Sequence, residues 1–137
     1  MVTLLSFPMI SADRRLYELR DLLALIPGDG LVWSLFEFSG FGVGPDGTPL
    51  DAFEATVTSS PLGYVLAWPR LLDFARGIRQ TVDCALVAVE RAGDLTSDAP
   101  ERGLGEFVIV GVDCSVWEVS GRRFGPGLED RFRTEFP

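Results

Sequence analysis

The chain contains no histidine, no lysine and no asparagine, and all twelve of its basic residues are arginines. Without histidine there can be no Ser-His-Asp or Cys-His catalytic arrangement, no imidazole acid or base and no histidine metal ligand. Without lysine there is neither a Schiff-base nucleophile nor the lysine of a phosphate-binding loop. The composition therefore excludes several common classes of hydrolytic, metal-dependent and nucleotide-binding chemistry.

Cysteine is scarce as well, since the chain has only Cys84 and Cys114, thirty positions apart. Two such cysteines cannot form a tetrahedral zinc site unless carboxylates complete it. Both lie in apolar runs, where cysteine behaves as a small hydrophobic residue, so we predict two free thiols buried in strands. The glycine-rich run 40–47 lacks the Lys-Ser/Thr ending of a phosphate loop and predicts a flexible turn. We expect no metal and no cofactor.

The 137 residues carry a net charge of −8, and their number is typical of one domain spanning residues 1–137. A net negative charge repels phosphate backbones, so we expect no nucleic-acid binding, whereas it attracts a basic protein partner. No apolar run reaches the ~18 residues of a membrane span, and residues 1–10 lack the basic region of a secretory signal. We therefore expect a cytoplasmic protein that does not associate with membranes.

Hydrophobic periodicity predicts an α+β domain. Apolar residues recur at helical spacing in residues 13–26, 49–58 and 69–79 and in a last helix beginning at Pro126. Runs rich in β-branched and aromatic residues predict strands at 31–38, 63–67, 81–90 and 106–119, the last being one strand or two. We expect a mixed, mostly antiparallel sheet of four or five strands with three or four helices packed on it, and a mobile polar loop at 92–105.

Residues 113–119 combine acidic, hydroxyl and large aromatic side chains. Strand alternation would place Asp113, Ser115 and Trp117 on one face and Glu118 on the other. Such a face is suited to recognition, since tryptophan is frequent among the residues that dominate binding energies. The alternative is that Trp117 packs under a helix and Asp113 bonds to a turn. We select Asp113, Trp117 and Glu118 as candidate partner-binding residues.

A second acidic region extends over residues 31–62, which include no basic residue. Its acids Glu37, Asp51 and Glu54 are further candidates for contact with a basic protein, and an ordinary solvated acidic surface is the alternative. Paired carboxylates could also support glycoside or metal-ion chemistry, although no D-x-D or E-x-x-E motif groups them.

The apolar strand that runs into Asp-Cys-Ser-Val-Trp-Glu-Val near the C-terminus carries a family resemblance. In this segment, residues 107–119, and in residues 68–80, the chain resembles the small immunity proteins of bacterial toxin systems. The two segments make up less than a quarter of the sequence. Those proteins inhibit a toxin by binding it and have no catalytic residues. The resemblance therefore implies a binding role, with no catalysis, for Asp113, Trp117 and Glu118.

Together these observations predict an acidic cytoplasmic protein-binding module, an immunity-type inhibitor of a basic toxin domain, with no enzymatic activity. Two alternatives stay open. One is a small-molecule-binding protein or carboxylate-dependent enzyme with a site near Asp113 and Trp117. The other is a homo-oligomeric accessory protein. The sequence leaves the oligomeric state undetermined.

Overall fold

Runs rich in β-branched and aromatic residues form the strands of one antiparallel sheet. The computed structural model describes residues 4–137. The strands are β1 (Leu5–Pro8), β2 (Val32–Gly42), β3 (Tyr64–Leu66), β4 (Ile78–Val89), β5 (Phe107–Val112) and β6 (Val116–Ser120). Their order across the sheet is β1-β6-β5-β4-β2-β3, with every neighbouring pair antiparallel. The chain thus places its N-terminal strand beside its last one.

Four of the five helices in the described residues cover one face of this sheet. The five are α1 (Leu19–Leu23), α2 (Leu50–Thr58), α3 (Trp68–Arg76), α4 (Ala99–Arg102) and α5 (Pro126–Glu135), and α4 lies on the opposite face. The apolar sides of α1, α2, α3 and α5 share one buried cluster with alternate residues of the strands, among them Trp33, Leu86, Ile109 and Trp117. We call this side of the sheet the helix-covered face. None of the helices within residues 4–137 has the length and apolar character of a membrane span.

The predicted α+β class is confirmed, with differences in detail. The sheet has six strands where four or five were expected, and it is antiparallel throughout. The described residues form five α-helices where three or four were expected. The extra strand is β1, and the extra helix is the short α4 inside the region predicted to be a mobile loop.

The helix predicted over residues 13–26 is wrong for most of its length, because only Leu19–Leu23 is helical. The chain turns before it, with Arg14 at a positive φ of 67° and a β-bridge between Ile10 and Leu16. Ser11 fixes that turn by accepting the Arg15 N–H on its hydroxyl at 2.9 Å. Leucines at helical spacing had suggested a longer helix, but these local hydrogen bonds replace its first turns.

Residues 106–119 form a hairpin of two strands. Asp113 and Cys114 both have positive φ, 50° and 58°, and the Ser115 N–H donates to the Val112 carbonyl at 2.8 Å. Paired positive φ values are characteristic of the tight turns that join twisted strands. The turn takes residues 113–115 out of the strands, and Trp117 pairs with Gly111 on the helix-covered face, the face that Phe107 and Ile109 also occupy.

Candidate functional site

The second face of the sheet is only partly covered, and we call it the open face. Its central row crosses five strands through directly paired residues, in the order Ser6, Glu118, Val110, Ala85 and Glu37. Ala85 lies between Cys84 and Leu86, which are both buried on the helix-covered face, so strand alternation directs Ala85 and its row to the open face.

A β-bulge in β2 adds an aromatic residue to this face. Leu35 pairs with Leu86 and Glu37 with Ala85, so Phe36 is the extra residue. Phe36 packs against the small apolar cluster of the open face, and Phe38 returns to the helix-covered core. Bulges re-aim side chains in this way. The bulge thereby places Phe36 and Glu37 side by side on the open face.

The neighbouring row continues the same chemistry toward the β5–β6 turn. Val112 pairs with Val116, and Asp83 pairs with Ser39. Val112, Val116 and Asp83 are partly exposed, as are Val110 and Ala85 in the central row. The floor of the open face is therefore apolar and accessible, and acidic side chains stand within it.

A short segment of the chain covers the other end of the open face. Leu95 and Ala99 are buried against Val87 and Val108, while Phe36 and Val110 lie at the border of this contact. Ala99 is the first residue of α4. The segment 92–105 was predicted to be a mobile loop, yet it is packed on the sheet. The uncovered part begins at Phe36 and Val110, which are partly exposed.

Two carboxylates flank the uncovered floor. Glu37 is exposed and Glu118 partly exposed, and neither has an arginine within ion-pair distance among residues 4–137. They are three strand spacings apart, or about 14 Å, with Val110 and Ala85 between them. Glu106, by contrast, pairs with both Arg122 and Arg123. The open face thus holds carboxylates that the chain itself does not neutralise.

Asp113 extends the acidic side of this face at the β5–β6 turn. Its backbone N–H donates to the Asp83 carboxylate at 3.0 Å, and its own side chain is exposed. Asp83 also accepts a long 3.4 Å hydrogen bond from the Ser39 hydroxyl. Three of the six predicted binding residues, Glu37, Asp113 and Glu118, therefore lie at the open face.

Trp117 does not belong to that surface, and its predicted role as an exposed aromatic anchor is corrected. Its side chain is 0% exposed, and its indole Nε1–H donates to the Tyr17 carbonyl at 3.0 Å. Trp117 occupies the same face as Phe107 and Ile109, and the helices cover this face. Asp113 is separated from it because residues 113–115 form the turn and not part of a strand. Of the two residues, Asp113 is exposed and Trp117 is buried, so they do not share one surface.

Asp51 and Glu54 lie on α2, which packs on the helix-covered face through Leu50 and Phe53. Asp51 is exposed, and Glu54 accepts the backbone N–H of Gly40 at 3.0 Å. Glu54 thereby satisfies a backbone donor of β2. The structure does not bring these two acids together with Glu37.

Sequence reasoning missed the apolar floor and the acid within it. These residues are Phe36, Asp83, Ala85, Val110, Val112 and Val116. Residues 107–112 are apolar at both sets of alternating positions. This pattern predicted a strand covered on both faces, so a partly uncovered face was not expected.

Cys84 lies within the core beneath the open face. It is fully buried, and burial raises the pKa of its thiol, with smaller contributions from the negative charges of Glu37 and Asp83. Cys114 is partly exposed in the β5–β6 turn, where Gln80 donates an N–H to its sulfur at 3.6 Å. Both thiols are free as predicted, but the expectation that both are buried in strands is wrong for Cys114. Residues 4–137 hold no group of three or more potential metal ligands.

Comparison of the chain with protein-family models, with curated proteins and with solved structures gave no match. The open face and its chemistry therefore carry the functional interpretation.

Proposed function

We propose that the chain is a protein-binding module that docks a basic partner on the open face. The observation that carries this proposal is the central row, in which the apolar pair Val110 and Ala85 lies between the unpaired carboxylates of Glu118 and Glu37. The apolar floor supplies area to bury, at roughly 25 cal/mol per Å². The two carboxylates supply long-range attraction and fix orientation.

The charge of this face favours a different protein over a second copy of the same chain. Two open faces placed against each other would bring Glu37 and Glu118 of one copy near the acids of the other, and such like-charge contacts are unfavourable. A homo-oligomer formed through this face is therefore disfavoured, whereas a partner bearing arginine or lysine relieves the repulsion.

An immunity-type inhibitor of a basic toxin domain is one member of this functional class. Its support is the resemblance of residues 107–119 and 68–80, together with the acidic, partly apolar open face. Catalysis is not required, because shape and charge complementarity alone can block a toxin surface.

The proposal is tested by affinity capture from the native host with three baits. These are the original chain, the variant Glu37→Arg/Glu118→Arg, and the control Asp130→Arg/Glu135→Arg, which makes the same charge change on exposed residues of α5. We expect one basic protein to be retained by the original chain and the control and lost from the open-face variant. Equal retention by all three baits, or equal loss from both variants, would contradict a binding site on the open face.

A further inference from the structure

We propose that the docking element of the partner is an amphipathic α-helix with basic residues on both flanks, lying along β4 and β5 between Glu37 and Glu118. This inference rests on the proposed function, since it specifies the partner for the same open face. It concerns the shape of the docking element as well as its charge.

The width of the floor carries the inference. Glu37 on β2 and Glu118 on β6 are about 14 Å apart, because two strands lie between the strands that carry them. An α-helix with its side chains has a diameter of about 10–12 Å. A helix whose axis follows β4 and β5 therefore fits between the two carboxylates, and basic side chains on its two flanks reach one carboxylate each.

The floor between the carboxylates is suited to a helix. Ala85 on β4 has a small side chain, and Val110 and Val112 on β5 are partly exposed beside it. Phe36 forms the side of this floor next to Glu37. The small side chain of Ala85 beside larger apolar ones allows the apolar stripe of a helix to approach β4 closely.

The chain itself packs a helix on this face. Ala99 at the start of α4 is buried against Val87 and Val108, which are the next open-face residues along β4 and β5. This cover stops at one end of the two strands, since Val87 and Val108 are buried but Ala85 and Val110 beyond them are partly exposed. A partner helix on Ala85 and Val110 would extend the layer that α4 begins.

The geometry also specifies a sequence pattern in the partner. Apolar residues spaced i, i+3/i+4 and i+7 would form the stripe that contacts Val110 and Ala85. The residues immediately before and after each apolar position lie about 100° to either side on a helix of 3.6 residues per turn. Arginine or lysine at those positions would face Glu37 on one flank and Glu118 on the other.

The experiment uses the full chain, labelled with ¹⁵N, and synthetic peptides of 18 residues as probes. The first peptide has a leucine–alanine stripe with arginine on both flanks. A second has the same composition in scrambled order, and a third has two central prolines that prevent a helix. We expect only the first to gain helical circular dichroism on binding and to shift the amide resonances of β4 and β5, including Ala85 and Val110.

Two test variants of the protein, each with a matched control, refine the test. Glu37→Arg/Glu118→Arg should weaken binding of the first peptide at least tenfold, while Asp130→Arg/Glu135→Arg on α5 should leave it within threefold. Ala85→Phe fills the floor and should also weaken binding at least tenfold, whereas Val65→Phe on the exposed edge strand β3 should not. The amide spectrum of each variant reports whether its fold is retained.

The outcomes separate this inference from the proposed function. If the proline peptide binds the open face as tightly as the helical one, the face docks a basic segment that need not be helical. This result would contradict the helical docking element but not the proposed function. Amide resonance shifts confined to the helix-covered face or to the edge strands would also contradict a helix docked along β4 and β5. If no peptide shifts the open face and Glu37→Arg/Glu118→Arg still captures the host partner, both proposals fall.

Discussion

Trp117 donates its indole N–H to the backbone carbonyl of Tyr17 over 3.0 Å, although the two residues are 100 positions apart in the chain. The indole is fully buried, and the Tyr17 ring packs edge-on against Phe7 and Phe136. This bond joins the last strand to the segment before α1, next to the N-terminal strand and the last helix. The largest side chain of the β5–β6 hairpin therefore holds the two ends of the fold together.

We predict that Trp117→Ala lowers the free energy of unfolding by about 3–5 kcal/mol, because it removes a large buried ring. Trp117→Phe retains most of the apolar volume but leaves the Tyr17 carbonyl without its donor, which costs about 1–3 kcal/mol. Urea denaturation followed by circular dichroism measures both variants. Folded Trp117→Phe should bind the host partner with the same affinity as the original chain. A tenfold loss of affinity would indicate that Trp117 contributes to binding.

Elements held by local signals could be predicted from the sequence. The helices α2, α3 and α5 have apolar residues at helical spacing and proline at or near their starts, and each lies within two or three residues of its predicted bounds. The strand β4 has a long β-branched run and was also placed correctly. In these cases the neighbouring residues alone favour the observed structure.

Elements held by distant partners could not be predicted. The strand β1 has four residues, and its pairing of Leu5 with Val119 connects opposite ends of the chain. The open face was missed for a related reason, because the apolar residues of β5 indicate burial on both sides. Only the tertiary arrangement reveals that the segment around Leu95 and Ala99 leaves Val110 and Val112 partly exposed. Glu37 and Glu118 were selected because of their charge. Their alignment in one row across the sheet follows from the strand order, which the sequence did not predict.

We predict that Glu54→Ala destabilises the fold by roughly 1–3 kcal/mol, because the Gly40 N–H loses a charged acceptor at the edge of β2. Glu54→Gln should recover most of this loss, since its amide oxygen can accept the same hydrogen bond. Thermal unfolding and amide hydrogen exchange at Gly40 measure the effect. Equal stability of the alanine variant and the original chain would show that the contact contributes nothing.

We predict that Thr81→Val stabilises the chain by about 1 kcal/mol. The Thr81 hydroxyl is buried and has no hydrogen-bond partner among the described residues. Replacing it by a methyl group of similar size removes the cost of an unsatisfied polar atom, which is about 1–3 kcal/mol. Thr81→Ser, which keeps the hydroxyl and loses the methyl, should be destabilising. A valine variant that unfolds at lower urea concentration would indicate that the hydroxyl has a partner in solution.

The two thiols should differ in reactivity. Cys114 is partly exposed in the β5–β6 turn and Cys84 is fully buried. We therefore expect a thiol reagent to modify one residue per native chain and two after unfolding. The variant Cys114→Ala should remove the native reaction, and rapid native labelling of that variant would contradict the burial of Cys84.

The buried thiol also makes stability depend on alkaline pH. Burial raises the pKa of Cys84 in the folded chain above its ordinary value of 9.0, so the folded state keeps the proton that the unfolded state loses. The unfolded state then binds fewer protons, and the free energy of unfolding falls as pH rises above about 9. The slope contributed by this group approaches about 1.4 kcal/mol per pH unit.

Urea denaturation at pH 8, 9, 10 and 10.5 measures this slope. Cys84→Ala should lower stability at pH 8, because it removes a buried sulfur, but should show a shallower decline toward pH 10.5 than the original chain. Cys114→Ala is the matched control and should keep the steeper decline, since it leaves Cys84 in place. Tyrosine ionisation is common to all three proteins, so it does not alter the difference between them. Parallel pH profiles for the original chain and Cys84→Ala would show that Cys84 ionises equally in the folded and unfolded states.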